Sequence, residues 1–430
     1  MKRTITIVEL SLLIVLGCTE NQVQQPPSIP SPPRELRALA AGDSIVSLNW
    51  IDQARFEDGF ELFQSAGSDS PFVLADTIPP DTASWELTGC NPTLSYRYQL
   101  RSFNNIGHSA FTNIARVVDI KESFSIPNSP EFTTMTGIVV SPDGERLAVG
   151  YDYEVQTWDI STGTRLYSAR SNRAGMPSFS PDGTLLAIAG VQYASNGFSI
   201  LDAATGELLR QLEVDDSEAA QACAFHPDGG YFIGGTAYWD NGSYYARRRV
   251  WSTDDWTLGR TDDLVASSGR TLYYYSLTFS PDGAWLVASF SNDTVMVYSG
   301  VDFHGVRMHI INSPWDVAFS ASGDQYCPAP GSGYLYSYNT EDGQHRDSLV
   351  VYASVISTAY SPDDQFLALL RHDLSSPETR WLELVRPTPM STLHRESFNI
   401  NYAGRNFIRF AGDNLIIALQ ESVTVYRFYR

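Results

Sequence analysis

The sequence predicts an all-β protein in which a small antiparallel β-sandwich precedes a seven-bladed β-propeller. The propeller is predicted by a turn phrase, Ser-Pro-Asp-Gly, that recurs seven times in complete or altered form, about 40 to 54 residues apart, within residues 119–430. Such a period is typical of blades with four strands. The sandwich is predicted by short runs of alternating apolar residues, separated by turn residues, within residues 33–118.

The chain begins with the features of an export signal. Lys2 and Arg3 precede a mainly apolar run, 5–16, which is too short to span a bilayer. Residues 15–18, Val-Leu-Gly-Cys, resemble a bacterial lipobox, and this resemblance implies removal of residues 1–17 and lipidation of Cys18. Glu9 departs from the usual apolar run, so a plain secretory signal with an unrelated cysteine remains the alternative.

Residues 18–32 are polar and proline-rich, which predicts an extended tether that starts at the lipidated Cys18. More than one acyl chain on this cysteine would hold the protein stably at a membrane surface. We therefore expect an exported, lipid-anchored protein of the bacterial cell envelope, at the outer membrane rather than the inner one.

Residues 33–118 carry the strand pattern of the sandwich. Apolar and polar residues alternate as expected when one face of each strand is buried. Trp50, the phrase 90–92 before Tyr96, and the ending 104–109 make the stretch resemble a fibronectin type III domain. The resemblance implies a Tyr96 hydroxyl bonded to the preceding loop, and a Cys90 that packs as a small apolar residue. We expect this fibronectin type III-like domain to be a spacer, with a protein-binding module as the alternative.

Each copy of the turn phrase is predicted to form the corner of a β-hairpin. Proline presets the first corner position, aspartate can bond back to the backbone, and glycine accepts a positive φ. The copies begin at Ser141, Ser180, His226, Ser280, Ser320, Ser361 and Ala411. We interpret their aspartates as turn residues and not as catalytic groups.

The rest of each repeat resembles the WD-repeat propellers. A third strand such as 155–159 is followed by a second turn, 161–163, and in the next repeat by an outer strand, 208–212. Among the third strands only Trp158-Asp159 keeps the Trp-Asp ending of that family, and no repeat carries its Gly-His. The chain therefore resembles the looser bacterial relatives of the family.

The last repeat ends on its third strand, which leaves its blade without a fourth strand. We predict that residues 123–126, just ahead of the first repeat, supply it by pairing beside 423–428. An unpaired strand edge costs stability and promotes aggregation, which gives this closure a physical reason.

Long connections between strands are predicted on one face of the propeller, together with the links between blades. They cover 192–197, 236–249, 267–276 and 371–379. Insertions that share a face indicate a functional face, and aromatic residues with arginine are frequent in interfaces and sugar-binding surfaces. The candidate binding residues are Tyr193, Tyr238, Trp239, Tyr244, Tyr245, Arg247, Tyr273 and Tyr274.

Two structural alternatives apply to these candidates. Residues 273–275 would equally suit the start of a strand, and residues 247–249 would suit the exposed beginning of the strand that ends at Trp251. In so acidic a chain, the three consecutive arginines nevertheless favour an anionic or acidic partner.

The amino-acid composition restricts the classes of molecule that this chain is expected to bind. The chain has 29 Lys and Arg against 49 Asp and Glu, and its net charge of −20 repels phosphate backbones, which argues against a nucleic-acid partner. The four cysteines are too dispersed for a disulfide framework or a zinc site, and three of them are expected to be buried thiols. We expect a monomer.

No catalytic constellation, metal site or cofactor motif is recognised in the sequence. The seven histidines are dispersed, and the nucleophile elbow, Walker loop and dinucleotide fingerprint are missing. We therefore predict a non-enzymatic module that binds a protein or glycan of the cell envelope. A hydrolase or lactonase with a metal in the propeller channel is the alternative, and a purely structural scaffold is the third reading.

Overall fold

The computed structural model describes residues 28–42, 44–66, 70–91, 96–127, 134–171, 175–190, 197–265, 272–351, 354–372, 376, 379–387, 390–399, 405–412, 414–419 and 422–429. Within these ranges the regular structure is all β, and no helix is long and apolar enough to cross a membrane. The chain divides into two compact units, Met1–Val117 and Val118–Arg430. Cys18, the signal region and most of the tether lie outside the described residues.

The first unit consists of antiparallel strands that share one core. Its strands are β1 (Arg34–Gly42), β2 (Ile45–Ile51), β3 (Gly59–Ala66), β4 (Val73–Ile78), β5 (Ser84–Thr88), β6 (Tyr96–Asn104), β7 (Gly107–His108) and the start of β8 (Ala115–Pro127). One group is ordered β1-β2-β5, while β3 pairs with β4 and β6. Leu48 and Trp50 of the first group and Phe60 and Leu62 of the second belong to the same buried cluster because alternate strand residues point to one face.

Two details expected for this unit are confirmed. The Tyr96 hydroxyl accepts a hydrogen bond from the Asn91 amide, 3.1 Å away, which ties β6 to the preceding loop. Cys90 is buried in the shared core, and Cys223 and Cys327 of the second unit are also buried and free. Assignment to the fibronectin type III family remains a prediction.

The second unit contains six four-stranded antiparallel sheets and a seventh group of four antiparallel strands, in which the last three strands of the chain pair with β8; these are here called blades 1 to 7. Blades 1 to 3 comprise β9 (Met135–Val140), β10 (Arg146–Tyr151), β11 (Glu154–Asp159), β12 (Arg165–Arg170); β13 (Ser178–Phe179), β14 (Leu185–Ala189), β15 (Gly197–Asp202), β16 (Leu208–Glu213); and β17 (Ala219–Phe225), β18 (Tyr231–Asp240), β19 (Ser243–Ser252), β20 (Leu258–Val265).

Blades 4 to 7 continue the same order. They comprise β21 (Tyr274–Phe279), β22 (Trp285–Phe290), β23 (Thr294–Ser299), β24 (Gly305–Ile310); β25 (Val317–Phe319), β26 (Gln325–Pro328), β27 (Gly333–Asn339), β28 (His345–Val351); β29 (Ser354–Tyr360), β30 (Leu367–His372), β31 (Thr379–Pro387), β32 (Met390–Asn399); and β33 (Phe407–Ala411), β34 (Asn414–Leu419), β35 (Ser422–Tyr429), with β8 as the fourth strand of blade 7.

The turn phrase forms the corner between the first and second strands of its blade, as predicted. The fourth residue of the first six copies has a positive φ, including +76° at Gly144 and +57° at Asp364, which replaces glycine in one altered copy; in the copy that begins at Ala411 the positive φ lies at Gly412, the second residue. In the complete copies the serine hydroxyl donates to the aspartate two residues later, for example Ser180 Oγ to Asp182 Oδ1 at 2.6 Å. The repeated aspartates are therefore fixed turn acceptors.

The blades form a closed ring. The first strand of each blade contacts the first strand of the next, from β9 through β13, β17, β21, β25, β29 and β33 back to β9. The predicted closure is confirmed, because β35 pairs with β8 in a register that places Val423 opposite Ile126 and Thr424 opposite Ser125. Apolar residues of blades 1 and 7 then share a buried cluster that includes Leu147 and Ile416.

Two glycines of β18 allow aromatic rings of the neighbouring blades to approach closely. A Cβ at Gly234 would lie 2.4 Å from the Phe198 ring of blade 2, and a Cβ at Gly235 would lie 2.9 Å from the Tyr274 ring of blade 4. Because successive strand residues face opposite sides, blade 3 has one of these ring contacts on each face.

Candidate functional site

A groove of about 500 Å³ lies at the end of the ring where the first strands of the blades begin. We call it the mouth groove, and it is lined by Thr134, Met135, Thr136, Asp152, Tyr153, Gly175, Gln221, Tyr273, Tyr274, Tyr275 and Arg405. These residues come from links between blades, from the starts of first strands, and from the short link between β10 and β11. The candidate binding residues of the sequence analysis were predicted on a face that carries links of two kinds: those between blades, and those between the second and third strands of a blade.

Tyr275 of the mouth groove stacks on a tryptophan that lies just outside the groove lining. Tyr275 and Trp315 have ring centroids 4.7 Å apart and planes inclined by 22°. Trp315 lies in the link before β25, where its amide donates to the Ala329 carbonyl at 3.2 Å. This backbone bond fixes the position of Trp315 and hence one side of the Tyr275 ring.

Arg405 also lines the mouth groove and lies just before β33. Its guanidinium carbon is 5.7 Å from the Tyr275 ring centroid, which is a cation–π distance. Burial lowers the pKa of Arg405, and the nearby Tyr275 opposes that effect in part. Among the residues that the structure describes, no carboxylate forms an ion pair with Arg405.

Tyr274 is a core residue, which corrects its prediction as a contact residue. Its side chain is 4% exposed and packs 4.7 Å from the Phe290 ring, while its amide donates to Gln221 Oε1 at 2.8 Å. The alternation of β21 explains this position, because Tyr274 points between blades and Tyr275 lies on the other side of the strand. Tyr273, just before the strand, is exposed.

The insertion 236–249 extends two strands instead of forming an irregular loop. β18 and β19 pair as far as Asp240 and Ser243, and Asn241 and Gly242 form the turn, both with positive φ. Two residues with positive φ are typical of the tight turns that match the twist of a β-hairpin. The β18–β19 hairpin therefore projects its aromatic residues on a regular ribbon.

The ribbon places the predicted aromatic residues on two opposite sides. Tyr238 stacks on Tyr245, with ring centroids 4.8 Å apart, and Arg247 lies 4.5 Å from the Tyr238 ring. Trp239 packs against Tyr244 at 4.5 Å on the other side, and Tyr244 in turn contacts Tyr273 at 6.4 Å. Among the described residues, it is the second side, through Tyr244 and Tyr273, that connects the hairpin to the mouth groove.

The arginines 247–249 are neutralised within blade 3 and its neighbouring links. Arg247 forms ion pairs with Glu218 and Asp263, each at 2.6 Å, and Arg249 pairs with Glu218. Arg248 is buried, donates to Asp262, and lies 3.9 Å from the Tyr298 ring centroid. These contacts correct the expectation of an arginine surface that attracts an acidic partner: acidic residues of the same chain already hold these three charges.

Glu218 is the central acid of that cluster. Burial by itself would raise the pKa of Glu218, but the hydrogen bonds from Arg249 and Thr236 and the nearby arginine charges lower it below its usual range. The carboxylate therefore remains ionised in the folded protein. Its role is structural, because it joins the link before β17 to β18 and β19.

The central channel is lined by the first strands and has a volume of about 440 Å³. Its charged lining residue, Arg409, donates to Asp316 at 2.8 Å and to Ser357 at 3.1 Å, so the Asp316 carboxylate is neutralised. Within the described ranges, the one group of three acids close enough to share a metal is Asp52, Glu57 and Asp81 in the first unit. The described part of the propeller thus offers no comparable donor set.

Sequence reasoning missed two groove residues, Tyr153 and Arg405, and Trp315, which stacks on the groove residue Tyr275. Long insertions were the sequence signal for a binding face, whereas Tyr153 lies in a two-residue link and the other two residues shortly precede first strands. A tryptophan after the turn signal Asn312-Ser313-Pro314 was the available signal for one of them. The candidate Tyr193 lies outside the described residues.

Comparison with known proteins agrees with this architecture. Residues 263–299, from the end of β20 through β23, match the family model described as WD domain, G-beta repeat. Protein HIR1 from two strains of Cryptococcus neoformans var. neoformans serotype D is 27% identical over 175 residues, which cover 39% of this chain. The match spans 18% of the length of these relatives. The repeat match and the seven antiparallel blades fit a WD-repeat β-propeller, a kind of domain that generally mediates protein interactions.

Proposed function

We propose that this protein is a non-enzymatic binding module of the bacterial cell envelope that captures a partner protein in the mouth groove of its propeller. The observation that carries the proposal is the composition of the groove. Exposed Tyr153 and Tyr273, the stacked pair Tyr275 and Trp315, and Arg405 lie at one end of the channel. Tyrosine, tryptophan and arginine are the residue types that dominate binding energy in protein interfaces.

Attachment to a membrane through lipid on Cys18 is part of this proposal. The sequence Val15-Leu16-Gly17-Cys18 and the apolar run before it support an exported and lipidated chain. The proline-rich residues that follow would hold the first unit, which we propose is a fibronectin type III-like spacer, and the propeller away from the bilayer.

A metal-dependent hydrolase or lactonase is a weaker candidate for the function of this propeller. Such an enzyme needs several carboxylate or imidazole donors that converge in the channel. In the described channel lining, Asp316 already pairs with Arg409 and Ser357 and would have to exchange these partners for a metal. The described groups therefore favour binding over catalysis.

A glycan is the second candidate partner because the hairpin exposes an aromatic ring near the groove. Trp239 is 53% exposed, and aromatic faces of this kind can pack against sugar rings. A protein is the better candidate, since Tyr275 already uses its ring to contact Trp315 and Arg405.

Photo-crosslinking in the bacterial envelope tests the proposal. A photoreactive phenylalanine analogue would replace Tyr153, which is 57% exposed at the mouth groove, and in a second strain Leu166, which is 46% exposed on the outer strand β12 of the same blade. We expect a discrete crosslinked protein from position 153 and none from position 166. Equal crosslinking from both positions, or none from position 153, would contradict a partner in the mouth groove.

The anchor is tested separately by Cys18→Ala. We expect the unchanged chain to remain with the membrane fraction and to incorporate a labelled fatty acid, and the variant to lose both properties. Labelling that persists in the variant would disprove lipidation at Cys18 without affecting the assignment of the binding face.

A further inference from the structure

Arg405 differs from the other arginines in the described part of the propeller. Those with little exposure donate to carboxylates or backbone carbonyls of the same chain: Arg146, Arg247, Arg248, Arg249, Arg260, Arg307, Arg371, Arg380 and Arg409. Arg165, Arg170 and Arg210 are instead exposed to solvent. Arg405 is partly buried, yet within the described ranges its contact is the ring of Tyr275.

A partly buried guanidinium without an anionic partner has N–H donors that remain available for charged hydrogen bonds. Its five N–H donors match the two oxygens of a carboxylate, and a charged hydrogen bond of this kind is about twice as strong as a neutral one. Because Arg405 lines the mouth groove, a ligand bound there can supply that carboxylate. The chain has a net charge of −20. An unpaired cation at Arg405 therefore makes the electrostatic potential that a ligand meets more positive at this position than over the rest of the chain.

We propose that Arg405 binds the carboxylate of an Asp or Glu side chain in the partner protein, beside the stacked Tyr275 and Trp315. This assignment rests on the proposed function and specifies its ligand chemistry. The guanidinium is oriented by the Tyr275 ring, and Trp315 supports that ring from its own backbone-fixed position. An acidic residue next to an apolar or aromatic residue is therefore the sequence feature that this part of the groove recognises.

The surroundings favour one carboxylate over a more highly charged anion. Asp152 lines the same groove, so a phosphate group or a run of acids would also meet a like charge. A sugar acid fits less well than an amino-acid side chain, since the Tyr275 ring is already in contact with two side chains. Peptides are therefore the appropriate probe.

The test uses the full-length chain purified in detergent and a peptide library with amidated C-termini, so that side chains supply all carboxylates. Selected peptides are measured by fluorescence anisotropy beside copies in which the acid is changed to its amide, Asp to Asn or Glu to Gln. We expect the amide copies to bind about ten- to a hundredfold more weakly to the unchanged protein. With Arg405→Gln, acid and amide peptides are expected to bind equally.

Controls keep the result interpretable. Arg170→Gln removes an exposed arginine from β12 and should leave the acid preference unchanged, whereas Arg405→Lys should retain a reduced preference because it keeps the charge but loses the forked donors. The acid-to-amide comparison changes only the peptide, so it remains valid even where an Arg405 variant folds poorly.

The outcomes separate this inference from the proposed function. Peptides that lose binding with Trp315→Ala but tolerate the acid-to-amide change would overturn the role of Arg405 and leave the mouth groove as the binding site. A selection that yields no peptide sensitive to Trp315→Ala would overturn both. An acid preference that persists in Arg405→Gln would assign the carboxylate to another cation.

Discussion

The backbone of Ser125 pairs with that of Thr424, 299 residues later in the chain, and the two hydroxyl oxygens lie 3.3 Å apart. This pairing adds β8 to blade 7 and removes the open edge of β35. The ring is therefore closed by hydrogen bonds between its two ends as well as by the packing of blade 1 on blade 7.

Proline at position 125 should open this closure. The Ser125 side chain is exposed, so Ser125→Pro acts mainly through the backbone, where it removes an N–H donor and restricts φ. We expect a loss of about 1–3 kcal/mol in the free energy of unfolding of the propeller, measured by denaturant titration, because a backbone group of the ladder is left without its partner. Ser125→Ala should cost less than about 1 kcal/mol, and equal effects of the two variants would contradict closure by β8.

Glu218 should be essential for the stability of blade 3. Glu218→Gln leaves Arg249, whose side chain is 8% exposed, without its buried charged partner. Removing one member of a buried ion pair costs about 3–5 kcal/mol. Asp324→Asn, at the exposed pair with Arg346, is a control expected to cost at most about 1 kcal/mol, and a similar loss in both variants would argue against this role of Glu218.

The same carboxylate should make stability depend on pH in the acidic range. Because the pKa of Glu218 is lowered in the folded state, its contribution is complete above the ordinary value of 4.5 and is lost as the pH falls through the folded pKa. The stability difference between the unchanged protein and Glu218→Gln should therefore be constant from pH 7 to 5 and shrink below pH 4.5. A stability difference between the two proteins that grows as the pH falls would contradict a lowered pKa of Glu218.

Gly234→Ala should overpack the interface between blades 2 and 3. The added methyl would meet the Phe198 ring at 2.4 Å, and Trp251 lies within 2.9 Å of the same position, so neither ring can move freely. We expect a cost of about 1–3 kcal/mol. Gly259→Ala on the exposed outer strand β20 would place its methyl at an ordinary contact distance, 3.7 Å, from the Val250 carbonyl oxygen, and should be neutral or slightly stabilising in a thermal unfolding assay.

The two sides of the β18–β19 hairpin should respond differently to alanine. Trp239→Ala removes an exposed ring on the side of Tyr244 and Tyr273, and should lower the crosslinking yield from position 153 several-fold while changing stability by less than about 0.5 kcal/mol. Tyr238→Ala removes a hydroxyl that bonds Arg247 at 2.9 Å and Asp263 at 3.1 Å, and should lower stability by about 1 kcal/mol with little effect on crosslinking. The reverse pattern would place the partner on the other side.

The positions of strands and corners followed directly from the sequence. A positive φ at the corner is a local requirement, and six turn phrases satisfy it at their fourth position, five with glycine and one with Asp364, while the last copy satisfies it with Gly412 at its second position. Pairing of residues 123–126 with β35 also followed, because the last repeat supplies three strands and a four-stranded blade needs one more. These features depend on local backbone chemistry and on counting strands.

The candidate site depended on contacts between residues that are distant in the chain. Sequence reasoning identified an aromatic face, but it could not determine that Arg248 and Arg249 pair with Asp262 and Glu218, because strand register decides which charges meet. It also could not bring together Tyr153, Tyr275, Trp315 and Arg405, which belong to four different blades and have no shared motif. The sequence by itself determined the repeating blades and their closure; the tertiary structure alone decided that, in the described part of the propeller, the partly buried Arg405 has neither a carboxylate nor a carbonyl acceptor, since that depends on the complete set of neighbours around a side chain.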